Sequence, residues 1–181
     1  MIPEYKLYHG AFLAELVQRL ERPVWIDEHS EPGRLSSYVI DEKVGVQVKH
    51  SSQRMHPWPF TFTRQNLIEM DALAVKCPAN FVVFVCHTDG MVCVPLDEVQ
   101  NLLEVGDSDQ AWIRIDRRKR QWYSVSGGKG ELPNKKPRGL DVLIDLLNQQ
   151  DASGLDTARS QPTPQTKERS RFSFFSRGRS Q

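Results

Sequence analysis

Residues 44–62 read VGVQVKHSSQRMHPWPFTF. Val44, Val46 and Val48 alternate with Gly45, Gln47 and Lys49. This period of two places the valines on one face of a strand and Gln47 and Lys49 on the other. The segment after it carries His56, Pro57, Trp58 and Pro59 and reads as a loop that ends at a helix start. A rigid strand that offers a polar pair beside an ordered loop is a common way to build a site. An edge strand with its polar side in water is the alternative.

Upstream, Phe12, Leu13, Leu16, Val17 and Leu20 recur at helical spacing, which predicts an amphipathic helix from His9 to about Leu20, stopped by Pro23. Glu15 lies off part of that stripe, where it either reaches a site at a sheet edge or faces water. Pro23–Asp27 reads as a short strand, and Pro32 and Gly33 mark the loop after it. Ser36–Ile40 is the next strand and Asp41–Lys43 the turn into 44–49, so three short strands form an antiparallel meander.

Downstream, Thr61 or Thr63 caps a helix from Arg64 to about Lys76, with Leu67, Met70, Leu73 and Ala74 turned inward. Phe81–Cys86 is almost wholly apolar, as in a strand covered on both faces. Asp89-Gly90 signals a two-residue hairpin returning through Met91–Val94. Counting back from that turn sets Cys86 opposite Cys93. Two buried thiols are the expected outcome and a disulfide the alternative. Pro95 and Asp97 open a further helix. Trp112–Ile115 and Trp122–Val125 form a hairpin across a basic turn, and Gly139 to about Gln149 is a closing helix. The glycine-rich Ser126–Gly130 lacks phosphate-loop spacing and reads as a flexible turn. Trp58, between two prolines, is placed either to stack on a base or to anchor its loop in the core.

The sequence therefore predicts an α/β domain over 1–150, with a mixed central sheet flanked by helices on both sides. From 151 to 181, Ser, Thr, Pro, Gln and Arg dominate and the expectation is disorder. That segment ends in KERSRFSFFSRGRS, whose arginines and phenylalanines suit weak contact with nucleic acid, anionic lipid or a partner groove, or simple solubilisation. Apolar side chains make up 39% of the 181 residues, and no apolar run approaches the ~20 residues of a membrane helix. The start, Met1–Glu4, has no signal-peptide character, and three unevenly spaced cysteines give no disulfide framework, so a cytoplasmic setting is expected. Nor do those cysteines and the histidines show the C-x-x-C spacing of a zinc site.

Charge is unevenly placed. Residues 1–113 carry 9 basic and 16 acidic side chains, a balance of −7, and residues 114–181 carry 15 and 7, a balance of +8. This asymmetry points to an anionic partner for the C-terminal third.

The order helix, meander, helix, apolar strand resembles the restriction-endonuclease-like nuclease fold, as in Holliday junction resolvases. There the second meander strand supplies an aspartate and the third carries (Asp/Glu)-x-Lys. Gln47-Val48-Lys49 sits at the second of these motifs, and FVVFVCHTDGMVCVPLDEV is similar to the family's apolar strand, turn and Pro-Leu helix start. The resemblance spans about residues 9–104. It implies metal-dependent cleavage of DNA, with Lys49 and Gln47 at the scissile phosphate and Mg2+ as cofactor, in a homodimer or a larger defence or repair complex. Such chemistry needs a hard cation held by carboxylate oxygens and a positive charge near the attacking water.

Gln47 is expected to face Ser37 or Tyr38, so Ser36 and Ser37 stand where the family has its aspartate. Asp27, Glu31 and Glu15 are the stand-in metal ligands. The basic segment 114–138, with Arg117, Arg118, Lys119, Arg120, Lys135 and Lys136, is expected to hold the phosphate backbone, with Trp58 as a stacking residue. The alternative reading is a catalytically inactive subunit on the same frame that binds nucleic acid or partner proteins.

Overall fold

The computed structural model of the chain describes residues 1–29, 36–106 and 109–158. Its elements, in order, are α1 (Glu4–Leu20), β1 (Ile26–Glu28), β2 (Ser37–Ile40), β3 (Val44–Ser51), β4 (Trp58–Thr63), α2 (Arg64–Lys76), β5 (Ala79–Cys86), β6 (Gly90–Pro95), α3 (Leu96–Leu102), β7 (Gln110–Asp116), β8 (Ser124–Gly127), β9 (Gly130–Glu131) and α4 (Asp141–Ala158). Helix α4 thus runs past the expected boundary at 150. Residues 159–181, with the arginine–phenylalanine stretch, lie outside the described residues. No helix among the described residues is long and apolar enough to cross a membrane.

The strands form two sheets, of order β1-β2-β3-β5-β6 and β4-β7-β8-β9. The first is mixed, since β3 and β5 run parallel and every other neighbour is antiparallel. Its one parallel pair follows from the crossover through β4 and α2, which is long enough to bring the chain back in the same direction.

Each face of the first sheet has its own cover. Val44, Val46 and Val48 pack with Phe81, Val83 and Val85 against Phe12, Leu16 and Leu20 of α1 and against Leu140, Leu143 and Leu147. On the other face, Val82, Phe84, Val92 and Val94 meet Trp58, Phe60 and Phe62 of β4, Ile113 and Ile115 of β7, and Leu96, Val99 and Leu102. The β2–β3 half of that face is covered by α2, through Val39, Leu73 and Cys77. Gly45 permits this approach, since a Cβ there would run into Asn80 and Leu73.

Two expectations are corrected. The segment read as a loop carrying His56, Pro57, Trp58 and Pro59 up to the helix start instead forms the strand β4 from Trp58 on, in which Trp58, Phe60 and Phe62 are buried and Pro59, Thr61 and Thr63 exposed. The second sheet that it opens was not expected. Pro59 is tolerated because β4 is an edge strand, where a missing N–H need not break a ladder. The second correction concerns the cysteines. The β5–β6 connection is three residues, His87–Asp89, so Cys86 pairs with Gly90 and Cys93 with Val83. Cys86 then belongs to one core and Cys93 to the other, on opposite faces of the sheet. Both thiols, like that of Cys77, are free and buried.

Candidate functional site

The polar face of β3 is buried under α2. Ser37 lies opposite Gln47 in the β2–β3 register, as turn counting predicts, and both are fully buried. Above them, α2 presents two polar residues one turn apart, Asn66 and Glu69. Thr63 is the N-cap of α2, and its Oγ1 accepts from the Asn66 N–H at 3.4 Å. In return the Asn66 side-chain oxygen accepts from the Thr63 N–H at 3.1 Å, closing a reciprocal cap. That same Asn66 oxygen accepts a hydrogen bond from Lys49 Nζ at 2.9 Å. Gln47 Nε2 donates to the Asn66 carbonyl at 3.1 Å, while Gln47 Oε1 has no hydrogen-bond partner among the described residues.

Glu69 is only 6% exposed. Its Oε2 accepts hydrogen bonds from Ser36 Oγ and, at 3.2 Å, from Ser37 Oγ. Thus Ser36 and Ser37 solvate a carboxylate that arrives from the helix α2. Burial lowers the Lys49 pKa from 10.5 to about 8, and the Glu69 charge opposes that shift without cancelling it. Its ammonium also lies 5.0 Å from the centroid of the Phe62 ring. Beside Lys49, a surface cleft of about 410 Å³ is lined by Ser51, Gln53, Pro59 and Thr61 among others.

The proposed metal ligands do not converge here. Asp27 shares the polar face but pairs with Val39, two residues along from Ser37, and its carboxylate accepts from the Trp25 indole N–H at 3.0 Å. Glu15 is on α1, which packs on the opposite face, and pairs with Arg19 at 3.7 Å. Glu31 lies outside the described residues. Among those described, no group of three or more His, Cys, Asp or Glu side chains is placed to hold a metal ion. The donor set at the nest is one carboxylate already bound by two hydroxyls, one unmatched amide oxygen, and a nearby ammonium. Magnesium asks for several hard, anionic oxygens, and these residues do not fit it.

The basic side chains fall into two groups. Arg117 pairs with Asp89 at 2.5 Å and lies over the Tyr123 ring, whose hydroxyl donates to the same carboxylate at 2.7 Å. Lys136 pairs with Glu98 at 2.5 Å, and Lys135 donates to Gln121 Oε1 at 2.8 Å. These three fasten turns to the domain. Arg118, Lys119 and Arg120 are exposed in the β7–β8 turn, with no ion pair among the described residues. His56 Nδ1, 2.6 Å from Asp116 Oδ1, holds the loop after β3 beside that turn. Trp58 is 2% exposed and packs near Tyr123, at 6.2 Å between ring centroids, so it offers no surface to a base.

Sequence reasoning missed Asn66 and Glu69. The inward stripe of α2 includes positions 66, 69, 70, 73 and 77, and two of these are polar. Polar residues at inward helical positions were the available signal, masked by counting only apolar ones. Comparison of the chain with protein-family models, curated proteins and solved structures finds no match to any of them.

Proposed function

We propose that the chain is a nucleic-acid-binding domain on a nuclease-like frame, in which a hydrogen-bonded polar nest takes the place of a hydrolytic centre. The observation that carries this reading is the position of Glu69. It enters the slot facing Ser37 and Gln47 from α2, and its charge is taken up by Ser36 and Ser37. Two hydroxyl donors already meet this buried carboxylate, as burial of a charge requires, so it does not depend on a cation for a partner. The restriction-endonuclease-like reading of the frame is supported by the meander β1–β3, the crossover through α2 and the parallel apolar strand β5. The nucleic-acid reading is supported by the Arg118–Arg120 turn, whose three cations have no ion pair among the described residues.

The test uses fluorescein-labelled single-stranded and duplex DNA, with anisotropy and gel lanes from the same magnesium-containing samples. Binding is expected with strands left intact, and with affinity falling linearly in log salt. Replacing Arg118, Lys119 and Arg120 by Ser should flatten that slope by about 0.7–0.9 for each phosphate these side chains neutralise in the wild type. Metal-dependent cleavage would overturn the non-hydrolytic part, and absence of binding to either probe would overturn the whole.

A further inference from the structure

The second sheet has one buried face and one bare one. Its inward residues, Trp58, Phe60, Phe62, Ile113, Ile115 and Val125, fill the core. Its outward residues include Thr61 and Pro59 on β4, Trp112 and Arg114 on β7, and Ser124 and Ser126 on β8. Trp112 is directly opposite Thr61, and Arg114 lies between Pro59 and Ser126. Trp112 is 48% exposed, a large apolar surface on a strand whose inward neighbours are fully buried. Arg114 is exposed without an ion pair among the described residues. Two acidic side chains share this face: Asp116, at the end of β7, is 2.6 Å from His56 Nδ1, and Glu131 is on the outermost strand, β9. Along β7, Trp112 leads through Arg114 to Asp116 over about 13 Å at ~3.3 Å per residue. Arg118, Lys119 and Arg120 follow at once, so residues 110–131 hold six basic and two acidic side chains.

We infer that this face binds single-stranded nucleic acid, with a base stacked on Trp112 and the backbone running past Arg114 to the Arg118–Arg120 turn. The inference rests on the nucleic-acid reading above and adds to it a surface and a strand state. An indole lying on an open sheet offers a stacking partner to an unpaired base, whereas bases within a duplex already stack on one another. The same basic residues argue against a second copy of this chain as the occupant, because like charges would meet across the two faces.

The experiment is anisotropy of the full chain with labelled oligothymidylate and with a duplex of equal length. The single strand should bind at least about tenfold more tightly. Trp112→Ala should weaken single-strand binding by about tenfold or more, the scale of removing one stacked base, with its salt slope unchanged. Trp112→Phe should retain most of the affinity and so controls for folding. Wild-type duplex binding together with full single-strand affinity in Trp112→Ala would overturn this inference and leave the broader reading standing. No binding to either probe would overturn both. A dimer in sedimentation that Trp112→Ala abolishes would make the face a contact between copies and overturn the inference.

Discussion

Trp58→Ala is expected to lower the stability of the domain by about 3–5 kcal/mol in urea unfolding, the usual range for removing a fully buried large aromatic. Trp58 is 2% exposed and packs among Phe60, Ile115 and Tyr123 where the two sheets meet. Its indole N–H has no hydrogen-bond partner among the described residues. Trp58→Phe should therefore cost much less than the alanine change, since it keeps most of the ring and removes the unmatched donor. Trp112→Ala, on the open face, should stay within about 0.5 kcal/mol of the wild type. A Trp58→Ala protein of wild-type stability with impaired DNA binding would return Trp58 to the role of a stacking residue.

Lys49→Met is expected to stabilise the protein near neutral pH, by on the order of 3 kcal/mol, the scale that a pKa lowered from 10.5 to about 8 implies. With its folded pKa at about 8 against an ordinary 10.5, Lys49 binds fewer protons in the folded state than in the unfolded one across that interval. The wild type therefore carries the full penalty of a buried ammonium below pH 8 and recovers it as pH rises toward 10.5. Methionine keeps the length of the chain without the charge, and Asn66 Oδ1 retains the Thr63 N–H as a donor. The Cys86, Cys93, Tyr38 and Tyr123 pKa values are all raised by burial, so stability contributed by these groups is lost at alkaline pH in both proteins. The readout is accordingly the difference between the two urea curves. It should shrink from pH 7 to pH 10. A difference that stays constant, or a methionine variant less stable at pH 7, would make the ammonium a structural partner of Asn66 instead.

The strand at 44–49 was legible because its alternation is unbroken, and one face of it is the valine set on which α1 packs. The facing of Ser37 and Gln47 followed from the short turn after Ile40. The proline-flanked Trp58 concealed β4, because a missing N–H argues against a strand unless an edge is available. Yet the alternation of Trp58, Phe60 and Phe62 with Pro59, Thr61 and Thr63 was already present. The β5–β6 register escaped because the turn lies at His87–Asp89 and not at Asp89-Gly90, which moves the partner of Cys86 by three residues, from Cys93 to Gly90, and an odd shift sends side chains to the other face. The site was half legible. Gln47 and Lys49 stand out on their strand, but Glu69 is a buried carboxylate among apolar neighbours on α2. The tertiary placement of two serines makes such a burial tolerable. The cation ligands expected at Asp27 and Glu15 do not converge on the nest: Asp27 shares its face but stands two residues along it from Ser37, and Glu15 is on the helix that packs on the opposite face.

The central claim, that this nest is not a cation site, is tested most directly by thermal unfolding of the wild-type chain with and without about 10 mM MnCl2 or MgCl2. A site with a dissociation constant near 1 mM would add about 1.4 kcal/mol at that concentration. For a domain of this size that raises the melting temperature by about 3–6 °C. The nest described here predicts no rise. An increase of that size, absent in Glu69→Gln, would show that Glu69 gives up its serine donors to a metal ion and would contradict the account.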